Sequence, residues 1–212
     1  RAGGFAGGFF AIFVPSPNNK AQRQEEMVKP QYDMPLPEMI PFEEGREVTL
    51  KGAEALEALE AAGAVTICRS VAELEQAIHG PKMAAIMHIE GAEGIDPEFE
   101  MLHAMHARGL RSLGPVWSRP TIWADGVPFG YDRDGDTGPG LTDAGFRLVR
   151  ECNRLGIAID LSHITEKGFW DVAKTSDQPL IASHSNAHAL TPVARNLTDR
   201  QMDAIKESGG LA

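Results

Sequence analysis

Short apolar runs alternate with helical patterns along most of the chain, and this alternation limits the possible folds more than any other feature. The apolar runs lie at 9–14, 64–68, 84–90, 111–116, 157–162 and 180–183. The helical patterns cover 52–62, 70–79, 97–108, 142–155, 165–174 and 198–207, with a further short helix near 20–28. Repeated βα units of this kind build a parallel sheet with helices packed on it. The sequence therefore predicts an α/β fold.

Two helix starts carry a specific signal. Ser70 precedes Glu73 by three residues, and Thr198 precedes Gln201 by the same spacing. A hydroxyl followed three residues later by Glu or Gln is typical of a capping box, in which both side chains bond the free N–H groups of the first turn. We therefore predict that helices begin directly after Ser70 and Thr198.

The number of strands is too small for a closed barrel. A (β/α)8 barrel needs eight strands and typically about 250 residues, whereas we count five or six in 212 residues. Either the sheet is open, or residues 1–212 form a single domain that is part of a larger barrel. Residues 117–140 contain five Gly and three Pro without periodicity. Since loops of this length are usually lids or binding loops, we expect an active-site loop there.

Composition excludes several classes of partner. Thirty acidic residues against twenty basic residues give a formal charge of −10, which repels nucleic acid and anionic lipid surfaces. No apolar run approaches the roughly 20 residues needed to span a bilayer. Cys68 and Cys152 are the only cysteines and form neither a disulfide framework nor a zinc ribbon. We therefore expect a cytoplasmic protein with no nucleic-acid or membrane partner.

Three predicted strands end in residues that can bind a metal. Glu90 ends the run 84–90, His163 follows the run 157–162, and His184 follows the run 180–183. The C-terminal ends of parallel barrel strands meet at one mouth, so residues far apart in sequence converge there. A carboxylate and two neutral imidazoles suit Zn²⁺ or a related divalent ion. Taken singly, Glu90 could be a solvated turn residue and each His a hydrogen-bonding loop residue; their coincidence favours a site.

Other candidate residues have simpler explanations. His79, His103 and His106 fall on helices and are expected at the surface or in packing. His88 shares a strand face with Glu90 because side chains repeat every two residues, and we expect it to line the barrel below the site. Asp160 faces away from His163 by the same alternation, and a structural hydrogen bond is the favoured interpretation.

Four stretches resemble a known family. They begin with His-Ile-Glu-Gly-Ala-Glu-Gly-Ile-Asp at 88–96 and continue through the loop at 123–145, Asn-Arg-Leu-Gly to Leu-Ser-His at 153–163, and Ser-His-Ser-Asn to Ala-Arg-Asn at 183–196. Together they resemble the renal (membrane) dipeptidase family of zinc metallopeptidases, in its bacterial branch. The resemblance covers nearly the whole chain.

The resemblance implies a (β/α)8 barrel of the metal-dependent amidohydrolase kind with two zinc ions. The implied activity is hydrolysis of dipeptides by a zinc-bound hydroxide, often with a D-residue at the C-terminal position. By motif, Glu90 falls on the carboxylate that bridges the metals, His163 and His184 on the imidazoles of one metal, and Arg195 on the arginine that pairs with the substrate carboxylate. The implied partners are a small dipeptide and, as an option, a second copy of the chain in a homodimer.

The sequence departs from the family pattern in two ways. No His is followed two residues later by Asp, the first-strand motif that binds the other metal, and the family's late Asp is also absent. Set against the family, both absences imply a barrel domain that lacks its first strand and its last strands. Trp117 stands where many members have a His that touches the substrate; we count Trp117 as a substrate-binding residue, with His188 or Arg119 as substitutes for the missing His. Two alternatives therefore stay open: a catalytically impaired barrel that acts as a binding protein, and an amidohydrolase for another amide.

Overall fold

A parallel sheet forms the centre of the molecule, and helices pack on it. The computed structural model describes residues 3–16 and 25–212. The strands are β1 Gly7–Phe13, β2 Tyr32–Asp33, β3 Val65–Ile67, β4 Met83–Glu90, β5 Leu110–Gly114, β6 Gly130–Tyr131 and β7 Ala158–Ile159. The helices are α1 Phe42–Ala61, α2 Val71–His79, α3 Glu100–Arg108, α4 Asp143–Leu155, α5 Glu166–Thr175 and α6 Asp199–Glu207.

The order of the strands confirms the predicted α/β topology. The main sheet runs β1-β4-β5-β7, and β3 pairs with the start of β4; every one of these pairings is parallel. Beyond β7 the sheet continues through single bridges, since Ile181 pairs with both Asp160 and Leu211. Strands β2 and β6 form a separate antiparallel pair. This run of parallel strands fits part of a barrel wall.

Helix α1 is longer than predicted. It begins at Phe42, ten residues before the predicted start at residue 52. Its buried face is formed by Gly45, Thr49, Ala53 and Leu56, which follow helical spacing but include two residues without an apolar side chain. A hydrophobic periodicity therefore emerges only in the second half of the helix.

Other element boundaries also differ from the predictions. Helix α3 begins at Glu100 instead of residue 97, because the Asp96 carboxylate accepts bonds from the backbone N–H groups of Glu98, Glu100 and Met101. The predicted strand at 180–183 is reduced to the bridges at Ile181. The predicted helix near 20–28 lies largely outside the described residues.

The predicted helix caps are confirmed. The Ser70 hydroxyl accepts a bond from the Glu73 N–H, although the Glu73 carboxylate bonds the Arg69 N–H instead of completing a box. At α6 the capping box is complete, with Thr198 and Gln201 each accepting from the other's backbone N–H. Among the described residues, no helix is both long and apolar enough to cross a membrane.

The loop at 117–140 is tied down by short pairings that the sequence did not predict. Strand β6 lies within it, and single antiparallel bridges join Ala124 to Leu141, Gly126 to Ile164 and Tyr131 to Val193. The first residues of the loop are buried, including Trp117 and Arg119. The loop is therefore packed against the sheet close to the C-terminal ends of the strands.

Candidate metal and substrate site

Three potential metal ligands meet at the C-terminal edge of the sheet. Glu90 is the last residue of β4, His163 follows β7, and His184 follows the bridge at Ile181. The sequence brings them together because parallel strands place their C-terminal ends at one edge. Glu90 Oε1 lies 3.2 Å from His163 Nε2 and 3.1 Å from His184 Nε2, and the two Nε2 atoms are 3.0 Å apart.

The backbone on either side of these residues is specialised. His163 has a φ of 72°, which is uncommon for a residue with a side chain, and its carbonyl accepts a 2.7 Å bond from the Val127 N–H. Gly91 follows Glu90 with a φ of 93°, where a Cβ would lie 2.6 Å from a carboxylate oxygen of Glu93. Backbone strain held by surrounding contacts is typical of functional sites.

Solvent exposure differs among the three residues Glu90, His163 and His184, which we call the triad. The side chain of His163 is 4% exposed, that of Glu90 20% and that of His184 40%. Burial lowers the pKa of His163 to about 4, and the Arg195 charge contributes to that fall. Burial opposes ionisation of Glu90, but hydrogen bonds and charges of His163 and His184 hold the pKa of the Glu90 carboxyl well below its usual range. The arrangement therefore favours a carboxylate facing two imidazoles.

The three donor atoms suit one metal ion. Ligands of a tetrahedral Zn²⁺ at about 2.0–2.1 Å lie about 3.3 Å from one another, and the donor atoms here are 3.0–3.2 Å apart. No other group of three or more His, Cys, Asp or Glu residues in the described part of the chain has this property. Imidazole nitrogen and carboxylate oxygen are also the ligand types that zinc accepts. The residues present therefore fit a metal ion.

Arg195 lies directly beside the triad. Its Nη2 atom is 2.9 Å from His163 Nε2 and donates a 3.3 Å bond to the His184 carbonyl. Within residues 3–16 and 25–212, no carboxylate lies within 4.0 Å of its guanidinium nitrogens. Burial lowers the pKa of Arg195, while the charges of Glu90 and Asp160 oppose this. A guanidinium at the site is thus available to an anionic group.

Trp117 forms part of an aromatic wall beneath the triad. Its ring centroid lies 5.7 Å from that of His163, and Phe13 and Phe129 contact its ring edge-on at 5.1 and 5.5 Å. Only 7% of the residue is exposed. The Trp117 side chain is therefore buried among aromatic rings next to His163.

The two substitutes considered for the missing His are engaged elsewhere. Arg119 is fully buried and donates a 2.5 Å bond to Glu93, so its guanidinium has no surface that a substrate could reach. His188 Nε2 lies 3.1 Å from the backbone carbonyl of Arg133. Neither side chain belongs to the triad.

Comparison with known proteins places this geometry in a family. The model for membrane dipeptidase (peptidase family M19) matches residues 1–212. The chain belongs to this peptidase family. The parallel α/β fold is shared with a solved metallopeptidase from Rhodobacter sphaeroides, liganded with a phosphinate mimic of the dipeptide L-Ala-D-Ala, at a TM-score of 0.96 and 53% identity over 99% of this chain and 61% of that chain.

Curated relatives of this M19 chain show the same likeness. An uncharacterized protein in the pqqA 5′ region of Klebsiella pneumoniae is 47% identical over 71% of this chain and 55% of its own length. An uncharacterized protein in the PQQ-III 3′ region of Acinetobacter calcoaceticus is 35% identical over 98% of this chain and 65% of its own length. The chain thus spans somewhat over half of the length of these relatives.

Sequence reasoning missed the hydrogen-bonded groups around the triad of this M19 chain. The Ser118 hydroxyl lies 2.8 Å from His163 Nδ1, and the Ser183 hydroxyl lies 2.8 Å from His184 Nδ1. Asp160 accepts a bond from Ser183, which agrees with the structural role predicted for it. His88 is buried beside Glu90, as predicted, with Nε2 3.5 Å from Asp160 Oδ2. In the sequence, the one signal for these contacts is the Ser that directly precedes His184.

Proposed function

We propose that this chain carries the metal-binding and substrate-binding part of a zinc-dependent dipeptidase. The observation that carries the proposal is the mutual approach of Glu90 Oε1, His163 Nε2 and His184 Nε2 to within 3.2 Å. When bound, a zinc ion polarises a peptide carbonyl and lowers the pKa of a water molecule. Glu90 is the proposed bridging carboxylate, and we propose two zinc ions for the full-length protein, as the family resemblance implies.

The substrate is proposed to be a dipeptide with a free C-terminal carboxylate. Arg195 would bind that carboxylate, since a guanidinium matches the two oxygens of a carboxylate and has no acidic partner within 4.0 Å among the described residues. Trp117 would form the apolar side of the pocket, with the loop at 117–140 as part of the active site. The ligand of the Rhodobacter sphaeroides relative supports a D-residue at the C-terminal position.

Metal content and hydrolysis of the full-length protein test this function together. We expect zinc to copurify and L-Ala-D-Ala to be cleaved, and we expect His163→Ala to lose both properties. The matched control is His103→Ala, since His103 is an exposed residue of α3 paired with Glu151. A metal-free wild type that binds dipeptides without cleaving them would refute the enzyme and favour a binding protein.

The role of Arg195 has its own test. In Arg195→Met we expect KM to rise for a dipeptide but not for the corresponding dipeptide amide, which lacks the carboxylate. Removing a charge-assisted hydrogen bond typically costs about 1.5–3 kcal/mol, or roughly ten- to a hundredfold in kcat/KM. An equal loss for both substrates would show that Arg195 does not bind the C-terminal carboxylate.

A further inference from the structure

A buried carboxylate lies behind the exposed member of the triad. Asp160 is 1% exposed, and its Oδ1 atom accepts bonds from the backbone N–H groups of Ser162 at 3.0 Å and Ser183 at 2.9 Å. Its Oδ2 atom accepts a 2.5 Å bond from the Ser183 hydroxyl. The same hydroxyl oxygen lies 2.8 Å from His184 Nδ1. Asp160, Ser183 and His184 therefore form a continuous chain of hydrogen bonds that ends at the proposed metal position.

The direction of the protons in this chain follows from the donor inventory. An ionised carboxylate only accepts hydrogen bonds, so the single Ser183 hydroxyl proton is directed to Asp160. The Ser183 oxygen can then only accept from His184, which requires a proton on Nδ1. A neutral imidazole protonated on Nδ1 has a free lone pair on Nε2. That Nε2 atom lies 3.1 Å from Glu90 Oε1 and 3.0 Å from His163 Nε2.

We propose that Asp160 and Ser183 act as positioning residues that hold His184 in its metal-binding tautomer. The inference deepens the proposed function and rests on it, because the lone pair on Nε2 has a use only if a metal ion binds there. Groups that orient a ligating His typically contribute about ten- to a hundredfold to metal affinity. Neither Asp160 nor Ser183 touches the metal position, so both act through His184.

The substitution Asp160→Asn tests the proposal, because the surrounding hydrogen bonds fix the orientation of the new amide group. The Oδ1 position accepts two backbone N–H groups, so the Asn oxygen has to occupy it and the amide nitrogen has to face Ser183. That nitrogen donates to the Ser183 oxygen, which releases the hydroxyl proton to His184 Nδ1. We expect the opposite tautomer, with the proton on Nε2. Ser183→Ala removes the hydrogen bonds between Asp160 and His184 without reversing their direction. Ser183→Thr retains the hydroxyl.

Zinc affinity of the full-length protein, measured by competition with a chelator, is the first readout. We expect about a ten- to hundredfold weaker affinity in Asp160→Asn and Ser183→Ala and recovery in Ser183→Thr. The matched control is Ser208→Ala, because the Ser208 hydroxyl accepts from the Leu180 N–H and donates to the Ile205 carbonyl at the end of α6. Wild-type affinity in Asp160→Asn, or an equal loss in Ser208→Ala, would overturn the proposal.

The second readout is independent of metal binding. Two-bond ¹H–¹⁵N correlation spectra of the metal-free protein at pH about 8, where an imidazole is neutral, identify the protonated ring nitrogen. We expect Nδ1–H on His184 in the wild type and Nε2–H in Asp160→Asn; Nε2–H in the wild type would overturn the proposal. A wild type with Nδ1–H that binds no zinc would support the positioning role and refute the proposed function, so the two failures are distinguishable.

Discussion

Removing Arg119 should strongly destabilise the fold, and more so at high pH. The Arg119 and Glu93 side chains are both 0% exposed and their nitrogen and oxygen atoms lie 2.5 Å apart. Arg119 also bonds Ser16 and the Val14 carbonyl, so it connects the end of β1 to the loop after β4. Breaking a buried pair by removing one partner costs about 3–5 kcal/mol, because the remaining charge is buried alone.

The pH dependence follows from the carboxyl that remains. Burial raises the pKa of Glu93, and the Arg119 charge opposes that rise. In Arg119→Met the Glu93 carboxyl binds a proton, because the neutral form has a smaller desolvation cost than the buried charge. A Glu in the unfolded chain has a pKa of about 4.3. Keeping Glu93 protonated in the folded variant therefore lowers the free energy of unfolding by about 1 kcal/mol at pH 5 and about 5 kcal/mol at pH 8. Stability is therefore lost as pH rises, and we expect Arg119→Met to be about 2–4 kcal/mol worse at pH 8 than at pH 5.

Urea unfolding followed by far-ultraviolet circular dichroism measures this effect. The free energies of unfolding of Arg119→Met and wild type are compared at each pH, with the slope of the transition checked for equality. The control is the double variant Glu93→Gln, Arg119→Met, which buries no charge and should show little pH dependence. A loss below about 1 kcal/mol at pH 8, or the same loss at both pH values, would refute the reasoning.

Three further outcomes are expected. In Gly126→Ala the added Cβ would lie 1.8 Å from the Trp117 carbonyl oxygen, so we expect a loss of about 1–3 kcal/mol by urea unfolding, whereas Gly8→Ala, with its nearest atom at 3.8 Å, should cost far less. Thr198→Ala removes the cap of α6 and should cost about 1 kcal/mol in the same assay; an unchanged midpoint would contradict the capping box. Free zinc at about a hundredfold excess over its Kd should raise the free energy of unfolding by about 2.7 kcal/mol, a gain that a chelator abolishes and whose absence would contradict the metal site.

The elements with local signals could be predicted from the sequence. Helices α2 and α6 begin where Ser70 and Thr198 predict, because a cap depends only on neighbouring residues. The first half of α1 could not be predicted, since Gly45 and Thr49 form its buried face and no apolar periodicity marks it. The strand expected at 180–183 is reduced to bridges at Ile181, an outcome that depends on which chain segments lie beside it.

The donor triad was predictable for a topological reason, whereas its surroundings were not. Glu90, His163 and His184 each follow an apolar run, and a parallel sheet brings such positions to one edge whatever their separation in sequence. The aromatic wall at Trp117 and the Glu93–Arg119 pair depend on how loops fold over that edge. Loop conformations are set by bulges, turns and long-range pairings that leave no periodic pattern.

Asp160 shows where alternation along a strand stops being informative. Alternation correctly predicts a structural hydrogen bond for a residue three positions before His163, but it does not name the partner. The partner is set by strand register: Asp160 pairs with Ile181, which brings Ser183, two residues further on, within 2.5 Å of the carboxylate. A shift of one residue would turn Ser183 away from Asp160. The donor triad thus follows from the positions of the strands, whereas the groups hydrogen-bonded to it follow from the register between strands.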